Sequence, residues 1–186
     1  MSCNESYLKH FTLKNDMQLT VRKAVPEDAS NMIEYLNMVG GESDNLLFGK
    51  DEFYFTVEQE IEYINKISTD PSKFMIVGIV NDTLASVAQI SCPDRKRICH
   101  NSELAISVRK EFWGIGIGTA IMGELLHYAK ENPEIKNVSL GVRAGNTAAI
   151  WLYEKCGFVK VGTHKDYFHI NGTYEDEILM DLYFSP

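Results

Sequence analysis

Gly114, Gly116 and Gly118 alternate with Ile115 and Ile117 in the run Trp113-Gly-Ile-Gly-Ile-Gly-Thr119. Glycine adopts positive φ and lets a ligand come close to the main chain, so such a run can expose converging N–H groups. Ile117, Ile121, Leu125, Tyr128 and Ala129 then recur at helical spacing. The run is therefore a helix start, where the helix dipole adds partial positive charge. Its chemistry is the holding of an anion, a phosphate group above all, by main-chain amides and without a lysine. A dinucleotide fold would need Gly-x-Gly-x-x-Gly and a ribose-binding acid on the next strand, which the chain does not convincingly supply. A nucleoside triphosphatase would need Gly-Lys-Ser/Thr, yet Thr119 follows Gly118 directly. A turn that merely packs is the plainer alternative.

The elements that must position this turn follow from the apolar pattern. Ile98 to Val108, with Glu103-Leu-Ala-Ile106-Ser107-Val108 at its end, is a strand leading into the glycines. Tyr7 to Leu13 and Met17 to Ala24 read as a hairpin about Asn15-Asp16, and Phe74 to Val80 with Thr83 to Cys92 as another about Asn81-Asp82. Pro26-Glu27-Asp28 opens a helix that Gly40-Gly41-Glu42-Ser43 ends, and Thr56 to Ser68 is a second helix. Between them the segment 42–55 is irregular, with Phe48, Phe53, Tyr54 and Phe55 set among charges, and reads as core or cleft wall, as does Trp151. After the glycine helix come a strand from Val138 to Val142 and a helix from Asn146 to its stop at Gly157. Two last strands, Phe158 to Lys165 and Tyr174 to Tyr183, flank an Asn171-Gly172 turn. This order gives an α/β (α+β) mixed sheet with helices on its faces.

The 186 residues are enough for one good core and predict a single domain over 1–186, with 1–16 an N-terminal extension forming an extra hairpin strand. No apolar run is long enough to span a bilayer, and the start carries neither a basic region nor a signal core. Cys3, Cys92, Cys99 and Cys156 form no Cys-x-x-Cys pair, which fits reduced thiols in the cytoplasm. The net charge of −8, with no basic stripe, argues against nucleic acid and favours cationic partners. His100, His127, His164 and His169 share no metal spacing, so no metal is expected, and each reads as a surface or satisfied core histidine.

A second motif follows: Asn146-Thr-Ala-Ala149-Ile-Trp-Leu-Tyr153-Glu-Lys-Cys-Gly157-Phe158. With the glycine run it closely resembles the GNAT superfamily of acetyl-coenzyme A-dependent N-acetyltransferases. That family's pyrophosphate loop reads Gln/Arg-x-x-Gly-x-Gly/Ala, and its second motif Asn-x-x-Ala-x-x-x-Tyr-x-x-x-Gly-Phe is matched throughout. The likeness runs from about Leu19 to the C-terminus. It implies a mixed, mostly antiparallel central sheet of about seven strands flanked by about four helices. Two departures stand out: Trp113 replaces the usual Gln or Arg, and Gly141 stands where ribosomal-protein N-terminal acetyltransferases carry a catalytic Glu.

The resemblance implies acetyl transfer from acetyl-CoA to a primary amine by direct attack. Ile106, Ser107 and Val108 would pair with the pantetheine arm, and an N–H near Val108 would polarise the thioester. Gly114, Ile115, Gly116, Ile117, Gly118 and Thr119 would hold the pyrophosphate, and Asn146, with Ala149 in register, the pantetheine chain. Tyr153 would protonate the departing sulfur, and Glu103 would act as base. Glu175, Asp176 and Glu177 are an alternative set for recognising a cationic acceptor. The other functional reading is a non-catalytic acyl-CoA-binding sensor or interaction module, which would bind cofactor and release no thiol. A homodimer is compatible with the edge strands.

Overall fold

The computed structural model describes residues 7–184. The elements are β1 (Leu8–Thr12), β2 (Gln18–Lys23), α1 (Ala29–Glu42), α2 (Val57–Thr69), β3 (Lys73–Val80), β4 (Thr83–Ser91), β5 (Asn101–Val108), α3 (Ile117–Glu131), β6 (Asn137–Arg143), α4 (Thr147–Lys155), β7 (Val159–Ile170) and β8 (Thr173–Tyr183). Short 3-10 turns, Pro26–Asp28 and Lys110–Phe112, precede α1 and the glycine run. The strands form one eight-stranded sheet in the order β1-β2-β3-β4-β5-β6-β8-β7. Every pair is antiparallel except β5–β6. Eight strands stand where about seven were expected. The N-terminal hairpin does pair with the sheet, although residues 1–6 of the expected extension lie outside the described residues.

The two faces bury different helices. α3 presents Ile117, Ile121, Met122, Leu125 and Ala129, all fully buried, against Ile76, Ile90, Leu104 and Val138. Burying each large side chain contributes roughly 1.5–3 kcal/mol, which outweighs the ~1 kcal/mol that each of Gly118 and Gly123 costs the helix. On the other face, α1 and α2 pack Met32, Tyr35, Val39 and Ile64 onto Met75, Val77 and Val87. α2 begins at a capping box, in which the Gln59 N–H donates to Thr56 Oγ1 at 3.3 Å and the Thr56 N–H to Gln59 Oε1 at 2.9 Å. These helices pack mainly on β3 and β4, and Tyr35 of α1 reaches Ser107 of β5. Beyond that contact this face of the sheet opens to a cleft, with the 42–55 segment over part of it.

Three boundaries differ from the sequence reading. α1 runs through Gly40 and Gly41 to Glu42, because a side chain at 40 would strike the Gly49 carbonyl. The glycines there allow a close approach by the following loop and do not terminate the helix. β5 begins at Asn101, since Ile98 and Asn101 close turns onto Arg95 and Ile98. β7 continues past Lys165 to Ile170, with its register broken between His164 and Phe168, where Asp166 takes φ 54°.

Candidate active site

β5 and β6 lie side by side for three residues, pairing Asn101 with Asn137, Ser102 with Val138 and Glu103 with Ser139, and then part. From Leu104 onward β5 is paired only with β4, and from Leu140 onward β6 only with β8. The pleat decides what β5 offers to the gap. The His100 carbonyl accepts from the Lys136 N–H on the β6 side, whereas the Ser107 carbonyl accepts from Ser86 Oγ at 2.7 Å and the Arg109 N–H donates to Ala85 on the β4 side. Main-chain groups of even-numbered residues therefore face β6, which leaves those of Leu104, Ile106 and Val108 in the gap. Ser107, expected to share in pantetheine pairing, turns its main chain to β4, and its hydroxyl meets Tyr35 and the Val87 carbonyl.

The gap opens a cleft of about 1460 Å³ that runs from the glycine turn to the open sheet face. At one end Gly114 and Gly116 take φ 79° and 110°, and a Cβ on either would meet nothing within 4 Å. Both glycines thus supply backbone conformation beside open space. Gly118 has another reason: a Cβ there would press on Leu152 at 3.3 Å, so this glycine lets α4 lie close on α3. Gly116 is the N-cap of α3 and no side chain caps it, so the first N–H groups of the helix keep their donors free of helical partners. Ile115 lies between the two glycines of the turn, and Thr119 sits in the first turn of α3.

Two side chains brace the loop. The Trp113 indole N–H donates to the Val108 carbonyl at 2.6 Å, fastening the loop to the end of β5. From the N-terminal hairpin, the Lys14 N–H donates to the Ile115 carbonyl at 3.1 Å and its Nζ to the Gly114 carbonyl at 3.3 Å. A cation thus stands at the edge of a turn whose own sequence carries none. Only the pairing of the hairpin with the sheet brings Lys14 there, so no spacing in the chain announces it.

Asn146 is the N-cap of α4, its Oδ1 accepting from the Ala149 N–H at 3.3 Å, which leaves its Nδ2 for the cleft. One face of α4 carries Tyr153 into the cleft wall, where it is 8% exposed and leans on Phe158. Burial pushes its phenol up to about 12. No hydrogen bond to its hydroxyl is seen among the described residues. Trp151, read as core or cleft wall, lines the cleft and is exposed there, its ring 5.1 Å from Lys155 Nζ.

The open face gathers the acidic groups. Glu103 is exposed on β5 beside the parting point. The carboxylates that the sequence set together near the last strand go three ways. Glu175 binds Arg143 Nη1 at 2.5 Å, Asp176 accepts from the Asp166 N–H at 3.0 Å, and Glu177 meets His164 Nδ1 at 2.9 Å. Of the three, Glu177 lines the cleft, together with Glu42, Glu103 and Asp181. His164, which the sequence reads as a surface or satisfied core residue, lines it too. The irregular 42–55 segment roofs this side with Leu46, Leu47 and Phe48, and Arg143 ties it down through Asn45 at 3.1 and 3.2 Å.

A sheet parted over an amide-lined turn, with a buried phenol at the wall, is the architecture of an acyl-CoA-dependent transferase. Residues 44–158 match the model of the Acetyltransferase (GNAT) family. The chain is similar to YdaF of Bacillus subtilis, 25% identical over 92% of this chain and 94% of that one. It is also similar to the spermidine N(1)-acetyltransferase of Vibrio cholerae, 24% identical over 86% and 89%. The crystal structure of a GNAT-family acetyltransferase from Streptococcus pneumoniae superposes with a TM-score of 0.86 at 29% identity, covering 89% of this chain and 99% of that chain. The chain belongs to the GNAT family. It is an N-acetyltransferase whose acetyl donor is acetyl-CoA. Nothing in the comparisons favours the sensor reading. No helix of the described residues is long and apolar enough to cross a membrane.

Proposed function

We propose that the transfer takes place in the gap between β5 and β6, by direct attack on the thioester of a primary amine that arrives as its ammonium ion and loses a proton there. The observation that carries this reading is the parting of the strands at Glu103–Ser139, which joins the amide-lined turn on one side of the sheet to an acidic face on the other. The amides of Gly114 to Thr119, with Lys14 beside them, hold the pyrophosphate. The freed groups of Ile106 and Val108 bind the pantetheine arm as an added strand would, Ser107 keeping β5 in place between them. Asn146 Nδ2 bonds the arm from α4, where Ala149 leaves it room. The Val108 N–H polarises the thioester carbonyl.

Tyr153 supplies the proton that the departing sulfur needs. A phenol near 12 is a weak donor to a solvated thiolate, but the sulfur leaves into the same apolar wall, where burial raises thiol and phenol alike. Glu103, exposed at the lip, draws in the ammonium and takes up a proton from it through water. Four carboxylates on one cleft favour an acceptor with more than one positive charge, a polyamine or a basic amino acid. The likeness to a spermidine acetyltransferase supports that class. The exposed edge of β7, with Val159 and Val161, supports the reading that two copies associate.

The test is thiol release from acetyl-CoA across spermidine, L-lysine and an alanyl peptide, with calorimetric binding of acetyl-CoA measured alongside. Cofactor binding with fastest release on spermidine is expected. Binding with no release on any amine would overturn transfer at this site, and faster release on the peptide would overturn the acceptor class.

A further inference from the structure

Acetylating an ammonium takes two protons from one nitrogen. The first must leave before the lone pair can attack, and the second leaves the adduct once the C–N bond has formed. The C–S bond then breaks, the sulfur gains one proton from Tyr153, Tyr153 regains one from solvent, and the two taken from nitrogen leave one net proton released. Glu103 accounts for one acceptor on the β5 lip. The opposite lip carries a pair of different character.

There the Glu177 side chain is only 8% exposed, while that of His164 is 54% exposed, and the two meet at 2.9 Å through Nδ1. Glu177 Oε1 lies against the main chain of Gly141, so close that any side chain at 141 would collide with it. Gly141 is two residues beyond Ser139, the last β6 residue paired with β5, so the carboxylate sits beside the point where the strands part. A carboxylate buried this far is costly unless a donor satisfies it. The imidazole does so, and in doing so keeps its proton on Nδ1 and its lone pair on Nε2. The ring is held from its own strand as well. β7 loses register between His164 and Phe168, Asp166 is pinned there by Asp176, and Tyr167 stacks on the imidazole at 5.4 Å. Irregularities of this kind re-aim side chains beside active sites.

We propose that His164 is a general base of this enzyme, its Nε2 taking a proton from the acceptor nitrogen, with Glu177 as its positioning residue. The proposal rests on the β5–β6 gap being the site of transfer and adds the group that removes the second proton. The strand packed against β7 is β8, which contributes Glu177, with Glu175 and Asp181 on the same face. From β6 comes Arg143, already bound to Glu175, and from β5 comes Glu103.

The experiment measures kcat against pH, with the fastest of spermidine, L-lysine and the alanyl peptide as acceptor, for the wild type, H164Q and E177Q. General-base loss lowers rates about 100- to 10,000-fold. H164Q should fall at least 100-fold at neutral pH, lose the acid limb of the profile and keep its KM for acetyl-CoA within twofold. E177Q should lose about tenfold in kcat and keep its KM for acetyl-CoA within twofold, because the ring loses the carboxylate that orients it. A residue that merely held the fold would move neither limb. In parallel, the imidazole nitrogen shifts of His164 in the full chain should report the Nδ1–H tautomer, and E177Q should abolish that preference. H164Q with kcat within threefold of the wild type, or a ring protonated on Nε2, would overturn the proposal. If the wild type binds acetyl-CoA and acetylates none of the three amines, transfer in the gap fails instead, and the tautomer measurement still decides whether Glu177 sets the ring.

Discussion

On the α3 side of the parted strands, the groups offered to a ligand are mostly main chain: the amides of Gly114 to Thr119 and the freed edge of Ile106 and Val108. On the open side they are side chains, Glu103, Glu177 and His164, delivered by three different strands. Main-chain recognition constrains the sequence locally, since it demands residues without side chains in consecutive order. Side-chain recognition constrains it only through the sheet register, which joins residues 103, 164 and 177 from distant parts of the chain. One side should therefore fail in binding when altered, and the other in turnover.

The largest effect should come at the point between the two. Replacing Tyr153 by Phe should lower kcat about 100-fold or more while leaving acetyl-CoA affinity within twofold, as judged by steady-state kinetics and calorimetry. The hydroxyl has no bonded partner among the described residues, so the melting temperature should not fall. With the phenol raised to about 12, its proton-bearing form persists throughout the physiological range and is lost only near that value. The wild-type rate should therefore show no decline to pH 10 attributable to Tyr153. A wild-type alkaline limb below pH 10 that vanishes in Tyr153→Phe would contradict the acid role argued from burial.

Affinity should break at the glycine turn. Gly116→Val places a β-branched residue at φ 110°, a strain of about 1–3 kcal/mol. It also fills space that meets no protein atom, where the pyrophosphate is proposed to lie. Calorimetry should show acetyl-CoA binding weakened about 10- to 100-fold or more, with kcat at saturation within threefold. A fall in kcat with unchanged affinity would mean that the turn does not hold the donor, and the division between the two sides would collapse.

The same division explains what could be read from the sequence. The glycine turn, the Asn146–Tyr153 helix and the three hairpins with Asn-Asp or Asn-Gly turns are local patterns, and each was legible. Asn81, Asp82, Asn171 and Gly172 all take positive φ, as such turns require. His164 and Glu177 could not be found this way, because they become neighbours only when β7 pairs with β8 and a register break turns Tyr167 onto the ring. Gly40 and Gly41 misled for the opposite reason: their local meaning is a helix stop, and a tertiary contact with Gly49 overrides it. The sheet-level meaning of Gly141 was likewise hidden, since a lone glycine in a strand does not reveal which carboxylate lies across it.

Gly141→Ala tests that hidden contact. The added Cβ must displace the Glu177 carboxylate, costing about 1–3 kcal/mol of stability by overpacking. With its carboxylate displaced, His164 loses the contact that orients its ring, so kcat should fall about tenfold with acetyl-CoA affinity unchanged. Denaturant melts and kinetics on the same preparation separate the two effects. Adding Glu177→Ala should restore stability without restoring the rate. Recovery of both would reduce the pair to a structural contact.

The smallest effect belongs to Trp113, whose side-chain bond joins the turn to β5 on the main-chain side. Trp113→Phe keeps an aromatic ring but removes the N–H that donates to the Val108 carbonyl at 2.6 Å. One such bond contributes about 0.5–1.5 kcal/mol net, and here the loss is softened because the indole is half exposed and water can reach the freed carbonyl. The expected result is a two- to fivefold rise in KM for acetyl-CoA with kcat unchanged, since the loop loses its fastening but keeps its amides. The carbonyl so released also lies in the gap beside the Val108 N–H proposed to polarise the thioester. If kcat falls instead of KM rising, the indole serves the chemistry by holding that N–H in line, and Val108 then belongs functionally with the side-chain half of the cleft.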